Sequence, residues 1–186
     1  MKITMKILAM MAALLTAMRM SALAAPGPDG FANVPWGASK VQIEQEMAKQ
    51  GSRFENERQE RDGSLFLSYS GAMAGVYGTV YFYLKKDSFC EGGMEIFTQD
   101  GGRRERAAFF AVNPILVAKY GSPHRTIADS EYLWHFWDDL DVPGSTDKID
   151  ITIGYTSFKP PQNVIFNVNY NNKSLHKHLL LQNQGK

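Results

Sequence analysis

The chain has 186 residues, 20 Lys and Arg against 19 Asp and Glu, and one cysteine, Cys90. A balance so close to neutral lacks the basic excess with which proteins grip nucleic acid, and a lone cysteine excludes an intramolecular disulfide framework. The length suits one domain with its own core and is short for two.

The first residues read as a signal for export. Lys2 and Lys6 give a positive start, residues 7–15 form an apolar run, and Ala22-Leu23-Ala24 puts small residues where a signal peptidase cuts. The run is far shorter than the roughly 20 residues of a membrane span, and Arg19 interrupts the stretch that follows it. A signal peptide over residues 1–24 is therefore expected. Its removal takes Lys2, Lys6 and Arg19 and no acid, leaving 17 basic against 19 acidic side chains, a net charge of −2. No cysteine follows the run to accept a lipid, so a soluble periplasmic or secreted product is expected, without stable membrane insertion. Residues 25–30 read as a flexible leader, and a single domain is expected over residues 31–186.

Phe31, Val34 and Trp36 form an extended apolar segment before Gly37. Ser39, with Gln42 three positions on, is a capping box, so a helix is expected from there to about Gln50, stopping at Gly51. Residues 53–59 are a polar, weakly patterned strand. Leu65, Leu67 and Tyr69 alternate with Phe66 and Ser68 in the next, and Gly71 and Gly75 mark the turn after it. The third strand sets Val76, Val80, Phe82 and Leu84 on one face and Tyr77, Thr79, Tyr81 and Tyr83 on the other. After a tight polar connection over residues 85–88, Cys90, Met94 and Ile96 continue the inward pattern on a fourth strand. Gly92-Gly93 and Gly101-Gly102 match no phosphate-binding loop and read as bulges or turns.

Phe109, Val112, Leu116 and Tyr120 recur at spacings of three and four, the core stripe of a longer helix. Pro114 is expected to kink or restart it, with Asn113 as a cap, and Gly121 and Pro123 end it. Three more strands follow, through Tyr132, Trp134 and Phe136, then Ile149 to Tyr155, then Val164 to Tyr170, and a short tail helix is expected over residues 174–181. The fold class is α+β: helix, strands, helix, strands, with the helices packed on antiparallel meanders, an order consistent with internal duplication.

Two short signatures carry a resemblance. Phe31-x-x-Val34-Pro35-Trp36-Gly37-x-Ser39 opens the domain and Lys119-Tyr120-Gly121-x-Pro123 closes the second helix. With Trp134 and the Ile149–Ile153 run, they make the chain resemble a group of exported bacterial domains of unknown function. The order of helices and strands is also similar to that of the β-lactamase inhibitor protein and of small outer-membrane assembly lipoproteins, a likeness of fold that implies no function. The lipidation cysteine of those lipoproteins has no counterpart here.

The residues that bear chemistry do not assemble into a recognisable motif. Cys90 is either a nucleophile or intermolecular bridge, or a small buried strand residue, and its apolar surroundings favour burial. Asp138, Asp139 and Asp141 offer oxygen ligands for calcium, yet their spacing is not an EF-hand loop and an acidic turn between strands accounts for them. His176 and His178 would share one side of a strand and suit zinc, but diverge in the helix expected there. His124 follows a helix end, as a loop residue. His135, between Trp134 and Phe136, is expected to point away from the core together with Trp137.

No catalytic residue, metal ligand or cofactor site is assigned on this reading. The feature that remains is the aromatic second face, Tyr77, Tyr81 and Tyr83, joined by Phe97, Trp137 and His135. Such a face offers large contact area at low side-chain entropy and suits recognition of an envelope protein or peptide. The other account of the same rings is packing under the helices, and the alternative to a non-catalytic binding or accessory module is a hydrolase-like enzyme with a dispersed site.

Overall fold

Residues 28–98, 103–130, 132–156 and 164–175 are described by a computed structural model. They form β1 (Gly30–Phe31), β2 (Val34–Pro35), α1 (Lys40–Lys49), β3 (Arg53–Gln59), β4 (Leu65–Met73), β5 (Val76–Lys85) and β6 (Ser88–Thr98). There follow α2 (Arg103–Tyr120), β7 (Arg125–Ala128), β8 (Tyr132–Asp141), β9 (Lys148–Thr156) and β10 (Val164–Asn172). The signal-peptide residues, Gly101-Gly102, His176 and His178 lie outside the described residues. The fold is mixed α+β and dominated by one antiparallel sheet, in the order β3-β4-β5-β6-β10-β9-β8-β7, beside a separate β1–β2 hairpin.

Local chemistry sets the tight connections. Ala32 and Asn33, Ala74 and Gly75, and Lys86 and Asp87 are consecutive residues with φ between 49° and 78°, the mirror-image turns that match strand twist. The turn after β4 is therefore Ala74-Gly75, and Gly71 lies inside the strand, where a Cβ would meet the Ser52 hydroxyl at 2.8 Å. Gly92 and Gly93 are likewise strand residues and not a turn. The bulge in β6 falls at Cys90, two positions before Gly92, between the partners of Tyr83 and Leu84.

In α1 the capping box forms as the sequence predicts: Ser39 Oγ accepts from the Gln42 N–H, and Gln42 Oε1 accepts from the Ser39 N–H at 2.8 Å. Asp87, from the β5–β6 turn, accepts from the Lys40 N–H at 2.9 Å and fixes the helix start against the sheet. Gly51, at φ 70°, ends it. The second helix runs unbroken through Pro114, so neither a restart nor a cap at Asn113 occurs. Pro114 and Phe110, whose carbonyl loses its helical partner, are both exposed, where water can meet that oxygen.

One core joins Ile43 and Met47 of α1 and Phe109, Val112 and Leu116 of α2 to Leu67, Val80, Phe82, Met94, Ile151, Ile153, Phe166 and Val168 of the sheet. These sheet residues share one face through the strand register, and α2 contacts β5, β6, β9 and β10. Phe31 packs on Phe82 and Tyr170, and Trp36 stacks on Phe89 at 4.7 Å while donating from Nε1 to the Pro28 carbonyl. Among the described residues no helix is long and apolar enough to cross a membrane.

On β8 the structure corrects the expected parity. Trp137 is completely buried on the helix side, donating from Nε1 to the Gly121 carbonyl at 2.9 Å. His135 lies on the same side, its Nδ1 2.8 Å from Asn113 Oδ1 and its ring edge-on to Phe109. Tyr132, Trp134 and Phe136 take the opposite face. Both parities of this strand are aromatic, so alternation alone does not choose between them. The choice is made by Ile151 and Ile153 of β9, which face the core and are the direct partners of Trp137 and His135.

Candidate functional site

On the face of the sheet away from this core, the rings of Phe66, Tyr81 and Tyr83 form a cluster. Phe66 stacks on Tyr81 at 6.2 Å, Tyr83 meets Phe66 edge-on at 5.1 Å, and Tyr81 and Tyr83 are 5.9 Å apart. The register explains it: Phe66 pairs directly with Tyr83, Ser68 with Tyr81, and Tyr81 with Gly93. A Cβ on Gly93 would come within 2.4 Å of the Tyr81 hydroxyl oxygen, so the glycine lets the tyrosine ring lie flat across β6. Tyr81 is held there from the far side, its hydroxyl accepting from Asn167 Nδ2 at 3.0 Å and Asn169 Nδ2 at 3.1 Å. Burial pushes this hydroxyl up to about 12.

Around the rings stand Arg58 of β3 and Glu91 and Glu95 of β6, enclosing a polar pocket of about 220 Å³ with Phe66, Tyr81 and Tyr83. The Arg58 guanidinium sits over the Phe66 ring, 3.9 Å from its centroid, and donates from Nε to Glu60 at 2.6 Å. Glu91 accepts from Asn169 Nδ2 at 2.8 Å. Glu95 is half-buried, and its desolvation raises its carboxyl above the ordinary value, partly offset by the charge of Arg58. Asn171, the cross-strand partner of Glu91, has a buried Oδ1 with no hydrogen-bond partner among the described residues.

Farther along the same face, Trp134 repeats the device of ring over glycine. A Cβ on Gly154 would lie 2.3 Å from Trp134 Cδ2, and the indole Nε1 donates to Thr156 Oγ1 at 3.2 Å. Arg125 of β7 lies over the neighbouring Phe136 ring at 4.0 Å. Two arginine-on-aromatic pairs thus flank the face, one toward each edge strand.

Of the side chains expected to form the aromatic face, Tyr81 and Tyr83 come together. Tyr77 stands apart near the start of β5, 61 % exposed. His135 and Trp137 belong to the opposite face, and the Phe97 side chain lies outside the described residues. Sequence reasoning passed over Arg58, Phe66, Glu91, Glu95, Asn167 and Asn169. Phe66 was legible as the ring breaking the polar side of β4, and Glu91 and Glu95 as carboxylates at even spacing on one strand face. Their convergence with Arg58 depended on knowing which strands pair.

Compared with protein-family models, curated proteins and solved structures, the chain matches none.

Elsewhere, reactive groups are engaged or withdrawn. Cys90 sits at the β6 bulge, fully buried, its thiol pushed by burial up to about 11, so almost none is thiolate at neutral pH. Asp138 and Asp139 form the bulge of β8 between Trp137 and Leu140, a position inside the strand and not a connecting turn. Lys173 bridges Asp139 at 2.8 Å and Asp150 at 3.2 Å, and Lys148 pairs with Asp141. The Asp138 N–H donates to His124 Nδ1 at 3.1 Å. Among the described residues no three His, Cys, Asp or Glu side chains gather as a metal site. The two signature segments meet at a cleft of about 530 Å³, where Phe31, Val34 and Pro35 face Lys119, Tyr120 and Tyr170.

Proposed function

We propose that the protein is an exported recognition module of the bacterial cell envelope, which binds a protein or peptide on the second face of its sheet. The observation that carries the reading is the aromatic ground of that face. Phe66, Tyr81 and Tyr83 form one ring cluster and Trp134 and Phe136 follow on the same face of β8, with Tyr81 and Trp134 each seated over a glycine. Rings held in place lose little freedom on binding, which favours association. Export is supported by the basic, apolar and small-residue pattern of residues 1–24. In the same reading the chain is an internal duplication, a helix followed by a four-strand meander, twice over, with the fourth strands β6 and β10 paired at the centre.

The test is site-specific photocrosslinking in the producing cell. A photoreactive phenylalanine analogue at position 83 or 134 is expected to yield a discrete adduct with an envelope protein. The same group at Phe110, exposed on α2, is expected to give none. Adducts at neither sheet position, or equal adducts at Phe110, would remove the reading.

A further inference from the structure

The pocket beside Tyr81 has a chemistry more specific than an aromatic face. Its floor is the Tyr81 ring lying across Gly93, its walls are Phe66 and Tyr83, and Glu91 and Glu95 line it. The two glutamates are four residues apart on one strand, so their Cα atoms are about 13 Å apart with Gly93 midway. Faces of aromatic rings attract cations, and carboxylates supply the matching charge and hydrogen-bond acceptors. A flat guanidinium satisfies both at once, because it stacks on a ring while its edge donates to oxygen.

The chain itself shows this preference. Arg58 already places its guanidinium 3.9 Å from the centroid of Phe66. It does so from the exposed edge strand β3, with its carboxylate partner Glu60 outside the pocket, and among the described residues neither Glu91 nor Glu95 forms an ion pair. Glu91 takes one amide donor, from Asn169, and Glu95 feels the charge of Arg58, which leaves further carboxylate lone pairs for an entering donor. Outside the pocket lining, Asn171 Oδ1, across the β6–β10 pair from Glu91, is a buried acceptor without a donor among the described residues. A second, larger hollow of about 510 Å³ shares Arg58, Tyr83 and Glu91 with this pocket and gives an entering chain room to approach.

We infer that this pocket is a receptor for an arginine side chain of a partner protein, and that Arg58 is its internal competitor, occupying the Phe66 ring until the partner's arginine replaces it. The inference rests on the reading of the sheet face as a recognition surface and names the chemistry of what that surface takes. An internal competitor lowers the apparent affinity by the fraction of time it holds the site, so removing it strengthens binding.

The experiment is a titration of isotope-labelled protein with N-acetyl-arginine amide, followed by backbone amide resonances, with N-acetyl-citrulline amide as the neutral isostere. Saturable shifts are expected in β5 and β6 with the arginine probe and not with citrulline. Arg58→Ala is expected to tighten binding about two- to five-fold, the worth of one exposed cation on a ring. Glu91→Gln/Glu95→Gln is expected to weaken it by about fivefold or more. Glu91→Gln keeps a side-chain oxygen for Asn169 while Arg58→Ala uncovers the Phe66 ring, and dispersed spectra of each variant serve as the check on folding. The inference is overturned by equal shifts with citrulline, by arginine binding that ignores the glutamates, or by weaker binding in Arg58→Ala. If the crosslinks at positions 83 and 134 form while the arginine probe fails, the recognition face stands and the arginine receptor falls. If both fail, the face itself is lost.

Discussion

Gly93 has no side chain, and the placement of Tyr81 depends on that. An added methyl would lie 2.3 Å from the Val168 carbonyl and 2.4 Å from the Tyr81 hydroxyl. The tyrosine is free to swing aside, but the backbone oxygen of β10 cannot move without parting the central strands. Gly93→Ala is expected to destabilise by about 1–3 kcal/mol, the usual cost of overpacking. It is also expected to turn the Tyr81 ring out of its asparagine contacts. Urea unfolding reads the first effect and the tyrosine's near-ultraviolet circular dichroism the second. An unchanged midpoint would show that the sheet yields there more easily than the geometry implies. At this scale the sequence was only partly legible: a pair of glycines suggests a turn, and only the cross-strand rings reveal that it is a seat.

Between elements, the junction of α2 with β8 is made by two polar contacts set among apolar ones, Trp137 to the Gly121 carbonyl and His135 to Asn113. Burial holds His135 below the ordinary histidine value. As pH falls through about 6.5, the unfolded chain takes up the proton before the folded one does, so this histidine's contribution is present above that pH and is lost on acidification. The urea midpoint is expected to fall between about pH 7 and pH 5, and His135→Gln to flatten that fall. Equal slopes in the two proteins would assign the acid sensitivity to other groups. The β5 alternation read correctly because one parity, Val76, Val80, Phe82 and Leu84, is wholly apolar while the other, Tyr77, Thr79, Tyr81 and Tyr83, carries hydroxyls. On β8 both parities hold large rings, and the side that faces α2 was set by neighbours more than ten residues away in sequence. The signals that needed no tertiary partner were the most legible, the capping box at Ser39 above all.

For the whole molecule, tyrosines buried as neutral groups set an alkaline limit. The Tyr81 hydroxyl is pushed to about 12, and burial raises that of Tyr69 to about 12 as well, with Glu44 and Glu57 adding to the effect. Between pH 10 and 12 the unfolded chain ionises first, so stability is full below pH 10 and declines as pH rises, by about 1.4 kcal/mol per unit for a group such as Tyr81. Against a typical stability of about 5–15 kcal/mol, unfolding is expected near the top of that window. Tyrosinate absorbance is expected to rise together with loss of secondary structure; tyrosinate formed while the sheet persists would contradict it. The α+β class was legible from the order of patterned segments, whereas the strand order was not, since nothing local to β6 or β10 marks them as partners.

That partnership has a consequence during synthesis. β10 follows every other described strand along the chain, yet it fills the centre of the sheet between β6 and β9. As the polypeptide emerges, β3 to β6 can zip by short hairpins, but β6 must wait with an open edge until residues some seventy positions later arrive. The half-made protein thus exposes the middle of its future sheet, the surface most apt to pair with a neighbouring nascent chain. Loop closure over that span delays the final step further. A stop anywhere before Val164 is therefore expected to leave a sticky fragment rather than a smaller stable one.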